Sequence, residues 1–327
     1  MRRLDLLYNL LRCMAMCCLT ILVGCTESTS APTYETPITF GNGMNRANTS
    51  YVNIPDDQVN ATLWGYKDGS NDTKEWVFGE NSSGLDARIE SDGNGVTSLT
   101  PEGDSKLWNP GNYYFVSTWP NVSGSTVSLS GEVHIPNYNL SNQTADGWTD
   151  LRLATVTADG SDYIANTNSI ELNYKRLLTK IIFKGKSSSN VPATLNRLSL
   201  TIPSTASYSA TNVFANELNG SWEVENSTCI LTYNNSETGW KLSNSGTIVT
   251  EVYVFPQIVN SQSIPVEINI PDAGITSTKS GYIPATTWQA GKQYTYTFTI
   301  DEAGGIFFDE PTITPWGEAS AGPTIVF

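Results

Sequence analysis

The strongest constraint on the fold is an alternation of apolar and polar residues that repeats every two positions. In the clearest case, apolar side chains at Tyr294, Tyr296, Phe298 and Ile300 alternate with polar ones from Gln293 onward. A period of two places the apolar side chains on one face of an extended strand, whereas a helix needs a period of about 3.6. No window of a dozen residues shows a helical stripe. The sequence therefore predicts an all-β protein.

Turn residues separate the predicted strands into short segments. Pairs such as Asp68-Gly69 and Asp159-Gly160 lie between alternating segments, a pattern typical of β-sandwiches. A folded region of about 290 residues is large for one sandwich, so we expect two in tandem. The pattern is weakest near Asn166-Thr167-Asn168. We therefore predict an N-terminal sandwich over residues 34–168 and a C-terminal sandwich over residues 169–327.

The N-terminus is typical of an export signal. Arg2 and Arg3 precede an apolar stretch that is short for a transmembrane helix. The stretch ends at Leu22-Val23-Gly24-Cys25, which resembles the bacterial lipobox, where signal peptidase cuts before a cysteine that becomes lipidated. We therefore expect a lipoprotein signal peptide over residues 1–24 and a lipid on Cys25. The alternative is an ordinary signal peptide with a chance cysteine.

Cysteine usage agrees with lipidation. Three cysteines leave with the signal, and the mature chain keeps Cys25 and Cys229. A lipidated Cys25 leaves Cys229 without a partner, so we expect no disulfide. Residues 25–33 are polar and without periodicity, and we interpret them as a tether.

Charge and composition exclude several classes of function. The chain has 18 Lys and Arg against 32 Asp and Glu, so 18 − 32 gives −14, which argues against nucleic-acid binding. One histidine, His134, excludes most Ser-His-Asp, Cys-His and multi-histidine metal sites. The adjacent pairs Asp56-Asp57 and Asp301-Glu302 point to opposite faces of an extended strand, unlike the facing carboxylates of a glycosidase. We expect no enzyme activity, no cofactor and no metal.

Nine tryptophans leave one alternative function open. Trp76, Trp108, Trp148 and Trp240 lie near turn residues, and exposed rings at such positions stack on sugars. The alternative is therefore an outer-membrane surface lipoprotein that binds glycans for nutrient capture. Burial is the commoner fate of a tryptophan, so we rank this alternative second.

Several short motifs together are similar to those of the fimbrillin (Mfa-like) proteins of Bacteroidetes. In order, they are the lipobox at Cys25, Ile38-Thr39-Phe40 followed by Arg46-Ala47, Leu63-Trp64-Gly65-Tyr66-Lys67, Tyr113-Tyr114-Phe115 running to Trp119-Pro120, Tyr174-Lys175-Arg176-Leu177-Leu178-Thr179-Lys180-Ile181, Val252-Tyr253-Val254-Phe255-Pro256-Gln257, Trp288-Gln289-Ala290-Gly291-Lys292-Gln293-Tyr294 and Pro315-Trp316-Gly317. Each motif is weak by itself, whereas their order and spacing are fairly specific.

The resemblance implies a fold, a location and a mode of assembly. It implies two transthyretin-like β-sandwiches in a type V pilus subunit, exported as a lipid-anchored outer-membrane precursor and then displayed in a surface fimbrium. An arginine-specific protease removes the anchor and the first strand in polymerising members. The exposed groove then accepts a strand from another fimbrial subunit. Adhesion to a host protein or glycan is the implied role.

The segment after the tether fits a removable strand. Tyr34, Thr36, Ile38 and Phe40 point to one side of an extended chain, and alternate residues point to the other. An apolar groove beside unpaired backbone groups accepts such a strand through main-chain hydrogen bonds and alternate side chains.

A single basic residue marks the predicted cut. Arg46 is the only Lys or Arg between Arg12 and Lys67, and it lies in a Gly- and Asn-rich stretch. Polar stretches of this kind are preferred sites of proteolysis. We predict cleavage between Arg46 and Ala47. The alternative is an exposed arginine that is never cut, as in members that keep their anchor.

The C-terminal stretch is a candidate donor. Ile325 and Phe327 share one face of a predicted strand over residues 322–327. That strand either completes its own domain or fills the groove of a neighbour. A stalk subunit needs both a groove and a donor, whereas a tip subunit needs only the groove.

Overall fold

The computed structural model describes residues 35–41, 60–80, 83–91, 97–143, 150–166, 168–187, 193–214, 219–235, 238–270, 275–301 and 305–316. Over these ranges the chain is almost entirely β, with one α-helix of seven residues and a 3₁₀ turn at Ser70–Asp72. The prediction of an all-β protein is therefore confirmed. None of the described helices has the length and apolar character of a membrane-crossing segment.

The strands are numbered along the chain. The first half contains β1 (Phe40–Gly41), β2 (Asn60–Asp68), β3 (Lys74–Phe78), β4 (Leu85–Ser91), β5 (Thr97–Pro101), β6 (Asn112–Trp119), β7 (Thr126–Val127), β8 (Val133–Asn139), β9 (Arg152–Asp159) and the helix α1 (Gly160–Asn166). The second half contains β10 (Ile170–Glu171), β11 (Lys175–Arg176), β12 (Thr179–Ser187), β13 (Thr194–Pro203), β14 (Thr205–Thr211), β15 (Asn219–Val224), β16 (Thr228–Asn234), β17 (Trp240–Lys241), β18 (Thr247–Val254), β19 (Gln257–Val259), β20 (Gln262–Ile270), β21 (Ile275–Ile283), β22 (Thr286–Trp288), β23 (Lys292–Ile300), β24 (Ile306–Phe308) and β25 (Thr312–Pro315).

A nine-stranded sheet contains most of the first half of the chain. Its order is β10-β1-β5-β4-β2-β6-β9-β11, and β3 also pairs with β2. Its centre is antiparallel, whereas β1 pairs with β10 in parallel. The sheet therefore joins β1, near the start of the described chain, to a strand about 130 residues later.

The second half forms two five-stranded sheets and a two-stranded ladder. One sheet has the order β18-β12-β23-β24, with β25 also on β23, and the other has the order β16-β13-β20-β21, with β17 also on β13. β19 and β22 form the ladder. Tyr294, Tyr296, Phe298 and Ile300 are all buried, as their alternation predicts. The period-two pattern thus sets which face of β23 contacts the core.

A four-stranded sheet crosses residue 168. Its order is β15-β14-β8-β7, so β8, from the first half, pairs with β14, from the second. Tyr208 lies opposite Ile135 across this pair. The division into two sandwiches at residue 168 stays a prediction.

Two apolar cores fill the described structure. A smaller core includes Ile38, Phe40, Phe115 and Ile170. A larger core continues from the first half into the second and includes Trp316. β6 contributes to both, because Phe115 faces the smaller core and Val116 faces the larger one. The candidate site lies in the smaller core.

A candidate site around the first strand

Residues 36–41, called the first strand below, lie between two other segments of the sheet. On one side, the backbone amide of Ile38 donates a hydrogen bond to the carbonyl of Lys106 at 2.8 Å. The amide of Trp108 donates to the carbonyl of Thr36 at 2.9 Å. Pro37 and Leu107 form the bridge between these two bonds. Extended backbone on this side thus holds the first strand in register.

The other side is held by the parallel strand β10. The amide of Ile170 donates to the carbonyl of Thr39 at 2.8 Å, and Phe40 lies opposite Ile170 in the ladder. The hydroxyl groups of Thr39 and Ser169 are 2.9 Å apart and share a hydrogen bond at the surface. The first strand is therefore an inner strand of the sheet at this point.

Alternate side chains of the first strand enter the smaller core. Ile38 is 6% exposed and Phe40 is 4% exposed, whereas Pro37 and Thr39 between and beside them are exposed. Burial of each apolar side chain contributes roughly 1.5–3 kcal/mol. Removal of the first strand would leave an apolar slot with unpaired backbone on both sides.

Aromatic rings form the floor beneath Phe40. Its ring centroid lies 5.7 Å from that of Phe78 and 5.3 Å from that of Phe115, both in edge-to-face geometry. Such pairs add about 0.5–1.5 kcal/mol beyond the area that they bury. The slot is therefore built for an aromatic side chain at this position.

A glycine in β2 makes room for the two floor rings. A Cβ atom built on Gly65 would lie 2.9 Å from both Phe78 and Phe115. Real Cβ contacts are essentially never that short, so any larger residue would push the rings toward Phe40. Gly65 thus sets the depth of the slot.

Several predicted site residues lie outside the described residues. These are Tyr34 of the removable strand, Cys25, Arg46, Ala47, Ile325 and Phe327. Their roles stay predictions. Thr36, Ile38 and Phe40 are described. All three lie in the first strand, where Thr36 accepts a backbone hydrogen bond and Ile38 and Phe40 fill the slot.

The arginines of the described chain are poor protease targets. Arg152 and Arg176 are buried, and Arg88 and Arg197 lie within paired strands. A protease needs an extended, accessible segment. None of the arginines that the structure describes therefore competes strongly with Arg46 for cleavage.

Next to the smaller core lies a buried charge network centred on Asp150. Asp150 Oδ2 accepts a hydrogen bond from Arg152 Nε at 2.6 Å and another from Arg176 Nη1. The Asp150 side chain is 1% exposed and each arginine side chain is 5% exposed. Burial, and next the negative charge of Asp150, raise the pKa of Tyr138. The carboxylate thus offsets two buried cations.

Aromatic rings complete the network at both ends. The guanidinium of Arg152 lies 4.2 Å from the ring centroid of Trp119, and that of Arg176 lies 4.1 Å from the ring centroid of Trp316. Both distances are within the range of cation–π attraction. Trp316 also stacks on Tyr253 at 5.0 Å. Sequence reasoning missed this network, because Arg176 lies 26 residues after Asp150 and no local motif links the two.

The tryptophans that suggested sugar binding have different surroundings. Trp108 is fully buried and packs against Tyr113 and Tyr163. Trp76 and Trp240 are half-buried against the larger core. Trp148 lies outside the described residues. Trp108 is therefore not an exposed sugar platform.

No group of three or more His, Cys, Asp or Glu side chains in the described part of the chain is placed to hold a metal ion. His134 is exposed, with its Nδ1 3.1 Å from the hydroxyl of Ser209.

Solved structures share this fold at low sequence identity. A proposed cell adhesion protein from Bacteroides uniformis ATCC 8492 superposes with a TM-score of 0.56 at 14% identity, over 87% of this chain and 99% of that one. A proposed cell adhesion protein from Bacteroides ovatus ATCC 8483 gives 0.56 at 16% identity, with the same coverage. A fimbrial protein from Bacteroides vulgatus ATCC 8482 gives 0.53 at 15% identity, over 78% of this chain and 92% of that one. These likenesses establish the fold.

The family follows from the sequence itself. No curated protein matched the chain. A family model described as fimbrillin-like matches residues 46–316, which is most of the chain and runs from the predicted cut to the tryptophan of the charge network. The resemblance read from the order of the motifs is thereby confirmed, and the chain belongs to the fimbrillin-like family.

Proposed function

We propose that this chain is a fimbrial (type V pilus) structural or tip subunit that acts without catalysis and joins its neighbours by strand donation. The observation that carries the proposal is the first strand, which places Ile38 and Phe40 in an apolar slot and is flanked by backbone on both sides. A strand of this kind is exchangeable, because any extended segment with matching side chains can make the same main-chain bonds.

Cleavage converts the first strand from a tethered segment into a separate peptide. In the precursor the strand is continuous with the rest of the chain. Its departure from the slot would therefore cost the full free energy of exposing the slot. A cut between Arg46 and Ala47 turns this contact into an intermolecular one, which another strand can outcompete by mass action. The protease thus starts assembly without any change in the slot itself.

The chain carries a second segment with the spacing that the slot requires. Ile325-Val326-Phe327 repeats the order of Ile38-Thr39-Phe40, with a branched aliphatic residue, a β-branched residue and a phenylalanine. Placed in the slot in the same direction, Phe327 would meet the rings of Phe78 and Phe115. This repeat supports a second copy of the same chain as one donor, alongside other fimbrial subunits.

The assembly step is tested on the purified precursor with an arginine-specific protease. Limited digestion is expected to convert monomers into a ladder of oligomers, measured by size-exclusion chromatography with light scattering. Arg46→Gln, the matched control, is expected to stay monomeric under the same digestion. Oligomers that form equally well from Arg46→Gln, or a cut precursor that stays monomeric with other fimbrial subunits present, would contradict strand donation.

We place the precursor on the outer membrane through a lipid on Cys25, with residues 25–33 as its tether, and the cleaved subunit in a surface fimbrium. Adhesion to a host protein or glycan is the role that we propose for the assembled form. Cys25→Ala is expected to abolish incorporation of labelled palmitate and to release the precursor from membranes. Continued labelling of this variant would remove the anchor assignment.

A further inference from the structure

We propose that the slot of the first strand and the packing of Trp316 are coupled through residues 169–176, called the linking segment below. In this coupling, loss of the first strand loosens Trp316. The inference rests on the proposed function, since strand departure is the event that it responds to. Trp316 lies six positions before residue 322, where the stretch that contains Ile325 and Phe327 begins. The coupling would therefore hold the start of the candidate donor stretch in place until the first strand has left the slot.

The first step joins the first strand to the linking segment. Among the described strands, β10 pairs with β1 alone, so it lies at the edge of the sheet and depends on the first strand for its ladder bonds. Ile170 is fully buried and Leu172 is 4% exposed, both in the same apolar core as Phe40. Departure of the first strand therefore removes the backbone partner and part of the packing of this edge.

The second step runs through Tyr174 to β6. The hydroxyl groups of Tyr174 and Ser117 are 2.7 Å apart, and the ring of Tyr174 lies edge-to-face on Trp119 at 5.9 Å. Burial raises the pKa of Tyr174, so its phenol stays protonated and able to donate to Ser117. Ser117 and Trp119 follow Phe115 at alternate positions of β6 and share its face. Phe115 in turn forms the floor under Phe40.

The third step runs from Arg176 to Trp316. Arg176 ends the linking segment, binds Asp150 and stacks its guanidinium on the ring of Trp316. Trp316 is 8% exposed, and its amide donates to the carbonyl of Gly291 at 2.8 Å. Asp150 also holds Arg152, whose guanidinium lies on Trp119. Contacts therefore run without a gap from Phe40 to Trp316 along two routes, through the linking segment and through β6.

The linking segment is the element with two states. With the first strand in place, the start of the linking segment (β10) pairs with β1 and its end (β11) pairs with β9. Without the first strand, β10 has no ladder partner among the described strands and its apolar residues lie next to an open slot, whereas β11 keeps its pairing with β9. Segments with few contacts and unpaired backbone open locally at low free energy. Opening of β10 disturbs Tyr174 and Arg176, because only a few residues separate them from β10, and it weakens the contacts of Arg176 with Asp150 and Trp316. A local event at the groove thereby reaches Trp316.

The test uses hydrogen–deuterium exchange on the full, uncut precursor. Phe40→Ala and the milder Phe40→Leu loosen the first strand without a protease. We expect exchange to rise about fivefold or more, in graded order, in peptides that cover residues 169–176 and in peptides that cover residues 312–316. Leu195→Ala, a buried change in β13, is the matched control for general destabilisation. It is expected to leave unchanged the ratio of the exchange rate in these peptides to the exchange rate in the rest of the chain.

The coupling must also run in reverse, because linkage between two sites is reciprocal. Trp316→Phe and Arg176→Lys weaken the stack at the far end, since a lysine lacks the planar guanidinium. Each is expected to raise exchange at the amide of Ile170, which donates to Thr39. The coupling is overturned if loosening of the first strand leaves peptides 312–316 unchanged, or if these two variants leave Ile170 unchanged. The assembly assay is independent of the exchange measurement. Its failure would contradict strand donation and would leave the coupling result unaffected.

Discussion

Replacement of Phe40 with alanine is expected to lower the free energy of unfolding of the precursor by about 3–5 kcal/mol. The ring is 4% exposed and lies edge-to-face on both Phe78 and Phe115. Alanine would remove these contacts and leave a cavity that the floor rings cannot fill without moving away from Gly65. The loss is measured by urea denaturation followed by circular dichroism.

Two neighbouring variants calibrate this value. Phe40→Leu keeps most of the volume and is expected to cost about 1.5 kcal/mol or less. Thr39→Ser changes an exposed side chain of the same strand but keeps the hydroxyl that bonds to Ser169, and it is expected to stay within about 0.5 kcal/mol. A loss of under about 1 kcal/mol for Phe40→Ala would mean that the first strand contributes little to the precursor, and the groove would lose its physical basis.

Replacement of Asp150 with asparagine is expected to cost about 3–5 kcal/mol of stability at neutral pH. The substitution keeps the shape of the side chain but removes the negative charge that Arg152 and Arg176 share. Each of the two guanidinium groups is 5% exposed and would lose the charged oxygen that it now contacts. The faces of Trp119 and Trp316 offset only part of this cost, because cation–π attraction contributes about 2 kcal/mol when desolvated.

Asp86→Asn is the matched control for the charge change. Asp86 is exposed and accepts a hydrogen bond from Asn121 at 2.7 Å, which an asparagine oxygen can also accept. We expect this variant to stay within about 0.5 kcal/mol of the parent. Equal, small losses for Asp86→Asn and Asp150→Asn would mean that the buried network is not held by the charge of Asp150.

The alternation of residues predicted the local elements and their buried faces. In β23 the apolar positions are the buried ones, and in the first strand Ile38 and Phe40 are the buried pair. This agreement is expected, because a period of two is a property of consecutive residues and can be recognised directly in the sequence. The family was legible for a similar reason, since its motifs occur in order along the chain.

Pairing between distant strands was not predicted from the alternation. Nothing in the local pattern indicates that Phe40 lies opposite Ile170, or that Phe78 and Phe115 form the floor beneath it. The same holds for β8 and β14, which pair across the predicted domain boundary. The charge network is a further case, because Arg176 reaches Asp150 through the pairing of β11 with β9, which begins two residues after Asp150. Such contacts depend on long-range register, which alternation leaves undetermined.

A reversible disulfide between the first strand and its neighbour tests strand donation most directly. The hydroxyl oxygens of Thr39 and Ser169 are 2.9 Å apart on the surface, so Thr39→Cys with Ser169→Cys places two sulfur atoms within reach of a bond. Each variant that carries only one of the two new cysteines serves as a control. After limited cleavage at Arg46, the oxidised double variant is expected to stay monomeric, and addition of a reductant is expected to release the first strand and start oligomerisation. Equal oligomerisation before and after reduction would contradict the account, because assembly would then proceed with the first strand still in its slot.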